Sequence, residues 1–125
     1  MTVVTVLRPE RDRVEQLLSG WADELISALG NETAVQVVDR RGPGVSLENI
    51  RDALATSDFV VFFGHGTSDG WGGGEPPLDE LINETDLAAE PTSCIVAIAC
   101  YSARRFGRTA LTQRTAEGFI GFSER

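Results

Sequence analysis

The chain has 125 residues, 42% of them hydrophobic, and carries a net charge of −8; its basic side chains are all arginine. That length suits one compact domain, large enough to bury a core without a metal or a disulfide. The acidity speaks against nucleic acid and against an anionic membrane, both of which need a cationic surface, and no stretch approaches the roughly 20 apolar residues of a membrane span.

The N-terminus lacks a basic leader region and runs into Arg8-Pro9-Glu10-Arg11-Asp12. Val3 to Leu7 therefore reads as a first strand rather than a signal peptide, and a cytoplasmic location is expected. Pro9 suits a first helical turn. Val14, Leu17, Leu18, Trp21, Leu25 and Leu29 recur at helical spacing, predicting one apolar stripe that ends at Gly30. Gly20 weakens the middle of that helix by about 1 kcal/mol. Ala34 to Val38 is a second strand, and Gly42-Pro43-Gly44 breaks the chain. Ser46 caps a short helix with Leu47, Ile50 and Leu54 on one side.

Phe59 to Phe63 is a third strand. The Gly-rich stretch from Gly64 to Pro77 is expected to lie outside the core, with a helical turn at Leu78, Leu81 and Ile82 behind it. Cys94 to Ala99 is a fourth strand, Ser102 to Gln113 a helix weakened by Gly107, and Phe119 to Phe122 a last strand. Such alternation predicts an α/β fold, a three-layer α/β/α sandwich with a mainly parallel central sheet in flavodoxin-like strand order. The continuous apolar runs of the third and fourth strands suit central strands buried on both faces.

The chemistry gathers at the ends of those two runs. The only histidine, in Gly64-His65-Gly66, follows one of them, and Cys100 follows the other. Strand ends of open α/β sheets are where sites form. A thiol beside an imidazole can do covalent catalysis at neutral pH. The start of the following helix would favour a thiolate at Cys100, and His65 could exchange its proton. The N–H groups of Gly66 and of Cys100 are candidate oxyanion donors.

Phe63-Gly64-His65-Gly66 followed by Ile98-Ala99-Cys100-Tyr101-Ser102 resembles the caspase-like cysteine peptidases. Ala-Cys-x-Ser is closest to their CHAT domains, and Gly-His-Gly with Trp71 soon after looks gingipain-like. Gly118-Phe119-Ile120-Gly121-Phe122 resembles the strand after the catalytic cysteine. The resemblance covers the chain in element order, as a single domain over residues 1–125. It implies that His65 is the general acid/base and Cys100 the nucleophile, that the N–H groups of Gly66 and Cys100 form the oxyanion hole, and that peptide bonds are cut through a thioester; no cofactor or metal is expected from the residues themselves. CHAT-type proteins also suggest a role in prokaryotic regulated proteolysis or defence.

The chain stops after its fifth strand, where such peptidases continue with elements of the specificity pocket. It is expected to match the large-subunit portion, with a partner chain, a homodimer or a regulatory protein finishing the site. Aspartate specificity does not carry over, because Ile98-Ala99 stands where animal caspases have glutamine. For the substrate side chain, Arg8 at the end of the first strand would favour an acid; Asp69, Glu75 and Asp79 would favour a base. Ser102 is a further candidate contact.

Plainer roles compete with these. A lone histidine can hold a loop, and a lone cysteine is usually a small core residue, the role expected of Cys94. Six residues of extended chain keep Cys94 and Cys100 from bridging, so both are expected as free thiols. Gly64-x-Gly66 lacks the helix of a dinucleotide fingerprint, and without lysine there is no P-loop. One histidine and two cysteines make no ordinary zinc set. The acidic run from Asp79 to Glu90 suits a solvated face better than calcium. Arg104, Arg105 and Arg108 read as an exposed basic helix face, and Trp21 and Phe106 as core. A non-catalytic interaction module on the same scaffold, or a small ligand-binding domain, stands as the alternative function.

Overall fold

β-branched and apolar residues at Thr2–Arg8 form β1, which leads through a short loop into α1, Arg13–Gly30. β2 (Val35–Arg41), α2 (Leu47–Thr56) and β3 (Phe59–Phe63) follow. A small antiparallel unit comes next: β4 (Gly66–Thr67), β5 (Gly70–Gly72) and β6 (Glu80–Asn83). β7 (Ser93–Ile98), α3 (Phe106–Thr112) and β8 (Ala116–Ile120) complete the chain. The computed structural model describes residues 1–72, 79–87, 93–100, 105–112 and 116–124.

The main sheet runs β2-β1-β3-β7-β8, with every pairing parallel. Counted alone, its strands have the expected flavodoxin-like order. α1 packs on one face, where Val4, Val6, Ala22, Val61 and Phe63 form a core flanked by Leu18, Leu25 and Leu29. α2 and α3 cover the other face over a larger core that includes Leu7, Ile50, Leu54, Phe62, Ile95 and Phe106. The result is the three-layer α/β/α sandwich.

Several local expectations are corrected. Pro9 precedes α1 rather than opening it: the helix begins at Arg13, capped by Asp12, whose Oδ1 accepts the Glu15 N–H at 2.8 Å. Trp21 is 61% exposed, because the buried line of α1 is Glu15, Ser19 and Ala22, not the centre of the apolar stripe. Part of the Gly-rich stretch reaches the core: Trp71 is fully buried and stacks on Phe62, ring centroids 4.5 Å apart. Only glycine fits beside it at Gly70 and Gly72, where a Cβ would meet backbone of β6 at 2.3 and 2.5 Å. Leu81 and Ile82 lie in strand β6, not in a helical turn; Leu78 is outside the described residues.

Phe106 is core, as expected, while Cys94 is only half-buried near the start of β7. The last strand starts earlier than expected, at Ala116. The predicted helix over Ser102 to Gln113 contains α3, and its residues 102–104 and 113 lie outside the described residues.

Candidate active site

In this strand order the connections from β1 and β3 leave in opposite directions, opening a crevice beyond their C-terminal ends. The loop after β1 carries Pro9 to Asp12, the loop after β3 carries Gly64 and His65 up to Gly66 at the start of β4, and β7 on the far side of β3 ends just before Ala99 and Cys100. The order β1, β3, β7 thus sets Asp12, His65 and Cys100 side by side along one ridge.

Two glycines let the His65 segment sit between its neighbours. A Cβ on Gly64 would lie 2.7 Å from the Phe62 ring and 2.9 Å from Oε2 of Glu15. A Cβ on Gly66 would lie 2.5 Å from the Cys100 carbonyl oxygen and 2.8 Å from the Ala99 methyl. The space freed at Gly66 is therefore filled by the Cys100 backbone, not kept open for a substrate. The Gly64 N–H also donates to the Ile98 carbonyl at 3.3 Å. On the other side, the Gly72 N–H donates to the His65 carbonyl at 2.7 Å. That bond makes the neighbouring Gly66–Trp71 pair a non-hydrogen-bonded one, so the ladder leaves the Gly66 N–H unused.

The imidazole is held from the first turn of α1. Nε2 of His65 lies 2.6 Å from Oδ2 of Asp12, and the His65 N–H donates to Oε2 of Glu15 at 3.2 Å. Glu15 is fully buried, and Arg11 compensates it: Nε and Nη2 of Arg11 donate at 2.9 and 3.0 Å, and its backbone N–H at 3.0 Å. Burial works against ionisation of Asp12. The Glu15 N–H, the His65 ring and the Arg11 charge outweigh it and hold the carboxyl below the usual carboxylate range.

His65 and Cys100 line one cleft of about 380 Å³. Its other walls are mostly apolar: Val14, Leu18 and Trp21 of α1, Ile98 and Ala99, and Phe122, with Glu124 the one acidic residue among the described ones. Trp21 and Phe122 are 61% and 52% exposed, so the rim is open apolar surface.

The expected substrate contacts fare differently. Arg8 does end β1, but it is 2% exposed and paired inside the protein. It donates to both Asp39 carboxylate oxygens at 2.9 and 2.6 Å, to Asp23 at 2.5 Å, and to the Ser19 hydroxyl and carbonyl at 3.1 Å. It is an internal cation tying β1 to β2 and α1, buried away from any acidic substrate. Asp69 accepts from the Thr67 hydroxyl at 3.1 Å in the turn between β4 and β5, and its carbonyl accepts the Glu84 N–H. The Asp79 carbonyl accepts from Arg11 at 2.6 Å. Arg105 pairs with Glu84. Glu75, Ser102 and Arg104 lie outside the described residues.

Asp12 and Glu15 were absent from the expected site. Their signal is Asp-x-x-Glu at a helix start, a capping pattern legible in the sequence. What it could not show is that both carboxylates also turn to a histidine fifty residues on. Cys94 and Cys100 are both free thiols. Among the described residues no group of three His, Cys, Asp or Glu side chains is arranged to hold a metal ion, and no helix is long and apolar enough to cross a membrane. No protein-family model matches the chain, and no curated protein matches its sequence.

Proposed function

We propose that this chain is a caspase-like cysteine endopeptidase in which Cys100 attacks the peptide carbonyl and His65 moves the protons. The observation that carries it is that His65 and Cys100 both line one cleft, at the ends of adjacent parallel strands. His65 takes the thiol proton, and the thiolate adds to the carbonyl carbon. The oxyanion meets the N–H groups of Gly66 and Cys100. Collapse expels the amine, which leaves with the proton from His65, and water then hydrolyses the thioester with His65 as base. Free thiols suit a reducing cytoplasmic setting.

The cleft favours a bulky apolar side chain beside the scissile bond. Its walls are Val14, Leu18, Trp21 and Phe122, while Arg8 is spent elsewhere. β8 is an edge strand, and Ile120 on it is 68% exposed, so a partner chain has a surface on which to complete the pocket. The test is alkylation of Cys100 followed by mass spectrometry, with Cys94 as internal control. Fast modification at Cys100 that slows in His65→Ala is expected. Equal rates in the two proteins would remove the peptidase assignment.

The exposed apolar rim also suits a non-catalytic interaction module. That role predicts that Cys100→Ser leaves partner binding and every other activity intact. Cleavage of any partner that depends on Cys100 would eliminate it.

A further inference from the structure

We propose that Asp12 is a third member of this site, a positioning residue that fixes which nitrogen of His65 serves as the base. The inference rests on the assignment of His65 and Cys100 above and adds the group behind the imidazole.

The strand order supplies the geometry. Asp12 follows β1, His65 follows β3 and Cys100 follows β7, so the imidazole that meets the Asp12 carboxylate belongs to a residue sharing one cleft with Cys100. An ionised carboxylate only accepts, so at 2.6 Å from Oδ2 the Nε2 atom must carry the proton. Nδ1 is then the unprotonated nitrogen of the neutral ring, the one able to take the thiol proton. When it does, the resulting imidazolium has a carboxylate already beside it, in a short charge-assisted contact. With Cys100 lining the same cleft, these roles are the nucleophile, base and orienting group that general-base catalysis uses.

Asp12 is itself held still. Its backbone is extended (φ −141°, ψ −177°), the usual geometry of a helix cap, and its other oxygen accepts the Glu15 N–H at 2.8 Å. Glu15 in turn accepts the His65 N–H, so the first turn of α1 grips the histidine at both backbone and ring. Among the described residues, the other charged groups near the ring are Glu15 and Arg11, which pair with each other, and Glu124 in the cleft.

The capping role and the positioning role can be separated. Serine and asparagine both cap helices well, so Asp12→Ser and Asp12→Asn should fold. Serine is too short to reach the ring, and asparagine reaches it without a charge. Since the chain has one histidine, its ¹⁵N resonances are assigned without ambiguity.

In full-length Cys100→Ser protein the Nε2–H tautomer is expected to dominate, giving way to a mixture when Asp12→Ser is added. In the protein with Cys100 intact, alkylation of Cys100 by iodoacetamide at pH 6 should fall by about tenfold or more in Asp12→Ser, and by less in Asp12→Asn. An unchanged tautomer in Asp12→Ser would overturn the inference. So would a His65-dependent alkylation rate that neither Asp12 variant alters. If alkylation proves independent of His65 while the tautomer still moves, the peptidase assignment fails and the hold of Asp12 on His65 stands.

Discussion

Under α2 and α3, Phe62, Trp71 and Phe106 are fully buried and packed ring on ring, with centroids 4.5 and 5.0 Å apart along the series. Under α1 the core is smaller. Toward the strand ends it gives way to Arg8, Glu15 and Ser19, all buried and all paired, and then to an open apolar cleft. One face of the sheet is mostly apolar and cohesive; the other spends its burial on ions that hold a histidine and a charged strand end in place. Buried ion pairs add little net stability over well-packed apolar side chains, because desolvation offsets attraction. Their use here is geometric: they fix the loops after β1 and β3 while leaving a cleft between α1 and the sheet.

Four changes would break or sharpen that contrast. Trp71→Ala should cost the most, about 4 kcal/mol, by opening a cavity in the aromatic stack. Urea unfolding would show it, and a cost below about 1 kcal/mol would mean the hairpin is not anchored to the core. Arg8→Met on the other face should cost about 1–2 kcal/mol, since it breaks hydrogen bonds to Asp39, Asp23 and Ser19 while both carboxylates stay open to solvent. If Arg8 is purely structural, the Cys100 alkylation rate of the folded variant stays within about twofold of wild type. A selective loss of cleavage at acidic residues would instead return Arg8 to the substrate pocket.

Acid should act on the ionic face. The Arg41 guanidinium outweighs burial and, with the Ser19 hydroxyl, brings the Glu10 carboxyl from 4.5 to about 2. A depressed folded-state pKa stabilises above the unfolded value, so this contribution is whole above pH 4.5 and fades as pH falls toward 2. Asp12, also held low, adds in the same direction. Thermal unfolding between pH 5 and 2 should therefore show a declining midpoint that is less steep in Glu10→Gln. An identical slope would mean the Glu10–Arg41 pair is screened out in solution. The smallest stability effect is expected from Trp21→Ala, within about 0.5 kcal/mol because the ring is mostly exposed. Its larger consequence should be a higher KM for peptides with a bulky apolar residue at the cleavage site. A sizeable loss of stability with unchanged KM would make Trp21 a packing residue.

Much of this was legible beforehand. β3 came out at its expected bounds, since Phe59 to Phe63 is an unbroken apolar run between a serine–aspartate turn and a glycine. Ser46 caps α2 as expected, its hydroxyl accepting the Asn49 N–H. The Gly-rich stretch misled because glycine content reports on backbone freedom, not on where the one tryptophan within it goes. α1 misled because periodicity finds an apolar stripe without saying which neighbours cover it: Glu15, Ser19 and Ala22 face inward because Arg8, Arg11 and His65 wait there with partners.

The sequence by itself determined the local alternation of strands and helices, and from it the layered fold, because period and capping are short-range properties of the chain. It also set His65 and Cys100 at strand ends. Only the tertiary structure decided what surrounds them. Strand order placed β1 beside β3, and that brought Asp12 to the imidazole and buried Arg8 among its acids. Contacts between segments thirty to fifty residues apart depend on which strands become neighbours, and no local pattern carries that information.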